Sequence, residues 1–342
     1  MVGMTESTVP ESTVPESTVP EAAAADRMRA AAAAWLAVLT DEQRRVATAP
    51  FDVADARDWT YLPGPRPGLP LSDMTETQRM LAMELLDLGL SPAGAATAHG
   101  VMRLEATLRE LNRAAGGNWE VRHPLYYWFR VLGDPAGGRP WAWRVNGHHV
   151  AVHATVVGSQ IACTPQFFGA NPAKVPSGDR SGFRALPAEE DSGRGLFRAL
   201  DDQQRSAALA SELAPWDLLT RHDPVVDLGV VSRGLSWGDM DSGQRRQLES
   251  LVRLYLDRVT PAVGRRAWTE IAEAGLAKVS FAWAGAADVG AAHYYAVLGE
   301  QFVLEYDCTQ DGANHIHSVW RDVRNDWGTD LLAGHYAAAP HA

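Results

Sequence analysis

The sequence predicts an α+β fold: an antiparallel β-sheet core built from two strand blocks and surrounded by helices. Three observations carry this. Four capping-box patterns open helices, and two regions show the aromatic, β-branched runs and turn signals of strands. Helices precede, separate and follow those regions instead of alternating strand by strand with them, which is the α+β and not the βαβ arrangement. No Gly-rich phosphate loop of the GxGxxG or GxxxxGK[ST] type joins a strand to a helix.

The helix starts read Leu39-Thr-Asp-Glu-Gln-Arg44, Met74-Thr-Glu-Thr-Gln-Arg79, Leu200-Asp-Asp-Gln-Gln-Arg205 and Met240-Asp-Ser-Gly-Gln-Arg245. In each, a Thr or Asp stands three positions before a Gln. The first side chain accepts from the backbone N–H at the third helical position and the Gln reaches back. Helices are expected over 41–48, 75–88, 201–213 and 243–258, with further helical segments at 22–38, 92–114, 187–199 and 262–274. Within 243–258 the apolar residues Leu248, Leu251, Val252, Tyr255, Leu256 and Val259 recur at three- and four-residue steps and form one buried stripe. The four starts are irregularly spaced and read as independent helix beginnings, with no solenoid period.

The first strand block runs from Leu125 to Phe168. It contains Leu125-Tyr-Tyr-Trp-Phe-Arg-Val-Leu132, Trp141-Ala-Trp-Arg-Val145, a hairpin signal at Asn146-Gly147, and His148 to Val157. The second runs from Lys278 to Asp322, with strands expected at 279–283, 293–298, 301–307 and 315–322. Between the blocks, Phe168 to Ala185 is rich in Gly, Pro, Asn and Ser and reads as a long loop.

The repeated units Glu6-Ser-Thr-Val-Pro10, Glu11 to Pro15 and Glu16 to Pro20 are acidic and Pro-punctuated. They bury too little to offset chain ordering, so residues 1–21 are expected to be a disordered tail. The alanine run from Ala30 to Ala34 reads as a helix interior, not a secretory signal, and the expected location is cytoplasmic. Residues 22–342 read as one α+β unit, helical over 22–115 and mixed over 116–342. Lys and Arg total 31 against 42 Asp and Glu, a formal charge of -11, which excludes a nucleic-acid or anionic-lipid footprint. No apolar stretch is long enough to span a membrane. Two cysteines, Cys163 and Cys308, support neither a disulfide framework nor a Cys-built zinc site. No heptad run signals a coiled coil, and the oligomeric state stays open.

Histidines cluster at His148, His149 and His153, at His293, and at His315 and His317. On a strand over 315–322, His315, His317 and Arg321 share one face. Symmetric closure of the loop 308–314 sets Glu305 opposite His317, on that same face. Two imidazoles and a carboxylate then converge as a facial metal triad. His148 and His149, on another strand, point to opposite faces, so at most one of them joins the ion. The two-residue turn at Gly299-Glu300 places His293 on the far face. Buried hydrogen-bonded histidines are the alternative to a metal. Glu189 and Glu190 are candidates for a general base, against a simple interaction with a helix N-terminus. Arg144 and Arg321 are candidates for clamping a substrate carboxylate or phosphate, against ion pairs within the fold.

The run Trp141-Ala-Trp-Arg-Val-Asn-Gly-His-His149, the segment Thr164-Pro-Gln-Phe-Phe-Gly-Ala-Asn-Pro172, the tract Glu189-Glu190-Asp191, and Glu305-Tyr-Asp with Asn314-His-Ile-His-Ser-Val-Trp-Arg-Asp322 resemble domain-of-unknown-function family 3500 of bacteria and fungi. The resemblance covers residues 25–337 and implies one family-length unit. It implies no activity. The family often has Asn where this chain has His153, which argues against His153 as an obligatory ligand. From the residues themselves, the expected function is a metal-dependent hydrolase acting on a small molecule. A zinc-type ion on His315, His317, Glu305 and one of His148 or His149 would activate water. The alternatives are an iron- or copper-dependent oxidoreductase using oxygen, and a non-catalytic binding domain with core histidines.

Overall fold

The structure, a computed structural model, describes residues 19–338. The first half of the chain contains helices α1 (Glu21–Ala37), α2 (Asp41–Ala47), α3 (Val53–Ala56), α4 (Glu76–Leu88) and α5 (Pro92–Ala114). Its strands are β1 (Thr48–Ala49), β2 (Leu69–Pro70), β3 (Tyr127–Leu132), β4 (Trp141–Gly147), β5 (Val150–Val157), β6 (Gln160–Ala162) and β7 (Gln166–Ala170). The second half contains α6 (Pro187–Ala199), α7 (Asp202–Ala208), α8 (Ser242–Leu256) and α9 (Pro261–Gly275), followed by the short α10 (Gln310–Ala313) and α11 (Thr329–Ala338). Its strands are β8 (Leu209–Ser211), β9 (Leu235–Ser236), β10 (Ser280–Gly285), β11 (His293–Leu298), β12 (Phe302–Thr309) and β13 (His315–Asp322).

The two strand blocks form one sheet in the order β1-β3-β4-β5-β7-β13-β12-β11-β10-β8. Pairing is antiparallel except at the ends, where β1 with β3 and β8 with β10 run parallel. The expected α+β class with its antiparallel core is therefore observed. The helices lie on one face, where Trp141, Trp143, Tyr295, Tyr306 and Trp320 pack against α1, α4, α5, α6, α8 and α9. The other face is covered mainly by loop, through Trp59 and Tyr61 from the first half and Leu218, Leu219, Val226 and Leu228 from the second.

Strand order is a palindrome about the β7–β13 pair, and the halves match in register. Phe129 pairs with Val145 in the first half and Phe281 with Val297 in the second. The differences 281 − 129 and 297 − 145 are both 152, and the β4–β5 and β11–β12 hairpins keep that offset. The pseudo-two-fold also passes through the helical layer. Leu90 and Val259 form an antiparallel bridge, with Ser91 N donating to Arg258 O at 2.9 Å and Thr260 N donating to Gly89 O at 3.2 Å.

All four capping boxes form, at Thr40, Thr75, Asp201 and Asp241. They are not independent, as the spacing suggested. Each cap Gln exchanges amide hydrogen bonds with the Gln of the next cap in its own half: Gln43 with Gln78 at 2.8 and 3.1 Å, and Gln204 with Gln244 at 2.7 and 2.9 Å. Gln78 and Gln244 also donate to Val38 O and Ala199 O, each at 2.9 Å. The recurring Gln is thus a helix-to-helix tie made once in each half.

Local differences have local causes. The β4–β5 turn is His148–His149, not Asn146–Gly147, because Gly147 still pairs with Val150. The helix expected over 201–213 ends at Ala208, and Leu209–Ser211 becomes the edge strand β8. Part of the expected loop after Phe168 is the end of β7. Of the tail, residues 1–18 lie outside the described residues, while Glu21 opens α1. The Glu21 carboxylate accepts from Ile161 N at 2.7 Å and pairs with Arg266.

Gln78→Ala and Gln244→Ala should each destabilise the protein by about 1–3 kcal/mol, since each removes the returning bond of a capping box and strands a half-buried amide partner. Urea unfolding of both variants checks this. A cost of less than about 0.5 kcal/mol for either would mean that the tie in that half is ornamental.

Candidate metal centre

His315 and His317 lie on the loop-covered face of β13, as strand alternation requires. The carboxylate facing them is not Glu305. Asp307 pairs with His317 and Glu305 with Val319, a slide of two positions from the symmetric closure. The cause is the connection. Asp311, Gly312 and Ala313 all have positive φ, and the tight one-turn α10 lets β12 continue to Thr309. An even slide preserves the face but moves Glu305 along it. Fully buried, Glu305 accepts from Leu219 N at 2.7 Å, Thr220 N at 3.2 Å, Tyr294 OH at 2.8 Å and the Thr220 hydroxyl. Burial pushes its carboxyl up, against those bonds. Its oxygens hold the covering loop, and the triad of Glu305 with His315 and His317 is replaced.

The third imidazole comes from the first half. His149 sits in the β4–β5 turn with φ 63°, and its Nε2 lies 2.8 Å from His315 Nε2. The ring occupies space that Gly169 leaves open: a Cβ there would stand 2.7 Å from His149 Cδ2 and 2.8 Å from Ile316 O. Gly169 N also donates to His149 O at 2.8 Å. His148 does not point to the opposite side of a strand. Its ring stacks on His149 at a centroid distance of 3.7 Å, while Nδ1 lies 2.6 Å from Glu105 Oε2 and Arg122 approaches Nε2 at 2.9 Å. His148 therefore positions His149, and His149, His315 and His317 bring one ligand atom each within 4.8 Å of one another.

Two of the three rings are oriented by carboxylates. His315 Nδ1 is 3.0 Å from Asp311 Oδ2, and His317 Nδ1 is 2.8 Å from Asp217 Oδ1 and 3.4 Å from Asp307 Oδ2. Both rings then have Nε2 as the ligand atom, with His315 Nε2 turned to His149, the arrangement in which outer carboxylates fix the tautomer of metal-binding histidines. Asp217, Asp307 and His317 also form a compact group of their own. Because the His317 Nδ1 is already engaged by both carboxylates, the three-imidazole side is the better ligand set.

The charges are divided unequally. Burial pushes His149 well below the ordinary range, helped by its histidine neighbours. Burial, then the nearby charge of His317, lowers His315 to about 2. Burial also disfavours charge on His317, but its bonds to Asp217 and Asp307 prevail and raise it to about 9. The fully buried Asp307 is pushed up by desolvation, whereas the partly exposed Asp217, nearer His317, is held down. Asp307 Oδ2 has no hydrogen-bond partner among the described residues beyond its 3.4 Å ion-pair contact with His317 Nδ1.

The other sequence candidates are elsewhere. Glu189 and Glu190 lie in the first turn of α6, on the helical face of the sheet and so across it from the imidazoles. Glu189 is paired with Arg258 at 2.5 Å, which also approaches Ser318 Oγ, and Glu190 with Arg184 and Arg194. Arg144 is held by Asp55, and Arg321 by Asp326 at 2.7 Å and by Asp223 O. His293 is on the helical face as expected, stacked on Trp283. The sequence reading missed Asp217, which follows β8 in a segment without periodicity. It also passed over Asp307, although residue parity placed it beside Glu305.

A family model matches residues 21–329. The chain belongs to the family described as protein of unknown function DUF3500. No curated protein and no solved structure matches it. In this DUF3500 chain, His153 stacks on Trp327 and stands outside the three-imidazole group.

Burial pushes His153 to about 3 and His293 to about 4. Unfolded, each takes up a proton near pH 6.5. Both folded-state values are depressed, so their contribution is complete above pH 6.5 and declines as the pH falls toward 4. His317 has the opposite sign: its contribution is complete below 6.5 and is lost as the pH rises through about 9. It therefore does not counter the acid loss. Urea unfolding in EDTA at pH 7.5, 6 and 5 should show falling stability, with a shallower slope in His293→Gln. An unchanged slope would remove His293 from the account.

Proposed function

We propose that this DUF3500 protein is a metalloenzyme, a hydrolase of a small molecule, with one divalent ion on His149, His315 and His317. The observation that carries the reading is the pair of carboxylate-held imidazoles, Asp311 on His315 and Asp217 on His317, whose remaining nitrogens meet a third buried, neutral ring. Three nitrogen ligands leave a fourth position for water in a catalytic zinc site, and zinc bound there would lower that water's pKa. Asp307 Oδ2, 3.4 Å from His317 Nδ1, stands at the Nδ1 edge of that ring and not at its metal-facing Nε2, so together with Asp217 it would hold the ring and raise its basicity. Iron or copper with oxygen chemistry is the second reading. It is favoured by the Tyr61 ring, whose centroid is 4.9 Å from that of His317 and whose hydroxyl donates to Asp217 at 3.0 Å.

Metal analysis of untagged protein tests the proposal. Stoichiometric zinc supports the hydrolase, iron or copper the oxidoreductase, and no retained metal after supply of each ion sinks both. His149→Ala and His317→Ala should each weaken binding by at least about 100-fold, and Asp217→Asn by about 10–100-fold. Glu305→Gln should keep the metal while losing stability. Gly169→Ala should weaken metal binding without touching a ligand, because its Cβ displaces His149. Isothermal titration on chelator-stripped protein reads all five.

A further inference from the structure

The loop-covered face carries a second buried polar group, built from residues that the metal centre does not use. Trp59, Arg144, Asn146 and His153 are each at least nine-tenths buried. Each has an atom without a hydrogen-bond partner among the described residues: Trp59 Nε1, Arg144 Nε, Asn146 Oδ1 and His153 Nε2, while Arg144 Nη2 has only its 3.3 Å ion-pair contact with Asp55. All four line one small cavity, closed on another side by Trp327. Its free space of about 10 Å³ is room for a single particle of water size. Buried polar atoms left unbonded cost about 1–3 kcal/mol each, so several around one cavity point to an occupant.

The internal two-fold shows what stands at the matching place. With the offset of 152, His153 corresponds to Glu305 and Arg144 to Ala296. In the second half the Glu305 carboxylate fills the space between sheet and covering loop and takes bonds from Leu219, Thr220 and Tyr294. In the first half no carboxylate stands there, and a guanidinium has been added. The nearby charges do not balance either. Arg130 and Arg144 share the one carboxylate of Asp55, at 2.5 Å and 3.3 Å, and the exposed Asp58 adds only a longer-range attraction.

We propose that this cavity binds one small anion of halide size, which takes the place that the Glu305 carboxylate holds in the other half. Arg144 and Trp59 donate to it. The Asn146 amide, whose donor end follows the network it joins, turns N–H toward it. Its charge adds to the single Asp55 carboxylate that Arg130 and Arg144 share, and it ties the covering loop to β4 and β5.

The test uses full-length, chelator-stripped protein, so that an anion on a bound metal cannot contribute. Thermal unfolding is compared in sodium chloride and sodium gluconate at equal ionic strength. Chloride should raise the melting temperature by at least about 2 °C. Trp59→Phe, which keeps an aromatic ring but removes the N–H donor with the five-membered ring, should weaken the chloride dependence about 3–10-fold, and Arg144→Leu should abolish it. The shift should persist in His317→Ala, which separates this site from the metal reading. Crystals grown in bromide should show one anomalous peak beside Arg144. Density there without anomalous signal means an ordered water and overturns the proposal. So does a bromide peak without any shift in solution, which is binding at crystal concentration only, and so does an undiminished chloride shift in Arg144→Leu.

Discussion

The antiparallel pairing of β7 with β13 is the contact on which the rest of the molecule depends. It joins the two halves into one sheet, and it sets Gly169 opposite His317. Because that position lacks a side chain, the β4–β5 turn of the first half can lay His149 over the histidines of the second. A slip of one residue along this ladder would turn His315 and His317 into the helical face and leave His149 without company. The seam between the halves and the candidate metal centre are therefore one constraint seen twice.

The electrostatics follow from depth. Three imidazoles cannot all be charged when they are buried within contact of one another, and burial alone would hold all three neutral. Asp217 breaks that symmetry. Partly exposed, it can stay ionised, and it holds a proton on His317. That charge in turn depresses His315. A divalent ion would substitute for the proton: it supplies positive charge to the same carboxylates while requiring only neutral nitrogens. The arrangement is thus stable with a proton and suited to a metal, and proton release should accompany binding.

Much of this was legible in the sequence. Capping boxes are local chemistry, and all four helix starts lie where Thr40, Thr75, Asp201 and Asp241 put them. The face of His315 and His317 followed from strand parity alone, while the far-side position of His293 came from the two-residue turn at Gly299-Glu300; the observed pairing of Ala296 with Glu305 is two positions from the one that turn implies and keeps the face. Register was another matter. It depends on how a connection closes, and three consecutive positive-φ residues at 311–313 moved Glu305 two positions along the ladder without changing its face. His148 and His149 were assigned to a strand because Asn146-Gly147 carries the stronger turn signal. The pairing of Gly147 with Val150 overrode that propensity. Asp217 had no local signature, because its place is set by the loop that Glu305 holds down.

The duplicated frame also explains why the chemistry is one-sided. The same positions on the two hairpins carry His149 and Gln301, Thr155 and Asp307, His153 and Glu305. The backbone is repeated, yet each half fills its covered face with a different polar set. In the second half a carboxylate ties the loop directly, and the neighbouring carboxylate at Asp307 faces His317. In the first half the matching residues are a neutral hydroxyl and an imidazole, set against an added arginine. A symmetric scaffold with unlike polar cores gives one side nitrogen ligands backed by carboxylates, which favours a cation. The other side has donors backed by guanidinium, which favours an anion. The opposite signs are what two equivalent halves of one loop-covered face can support without accumulating like charge in one buried layer.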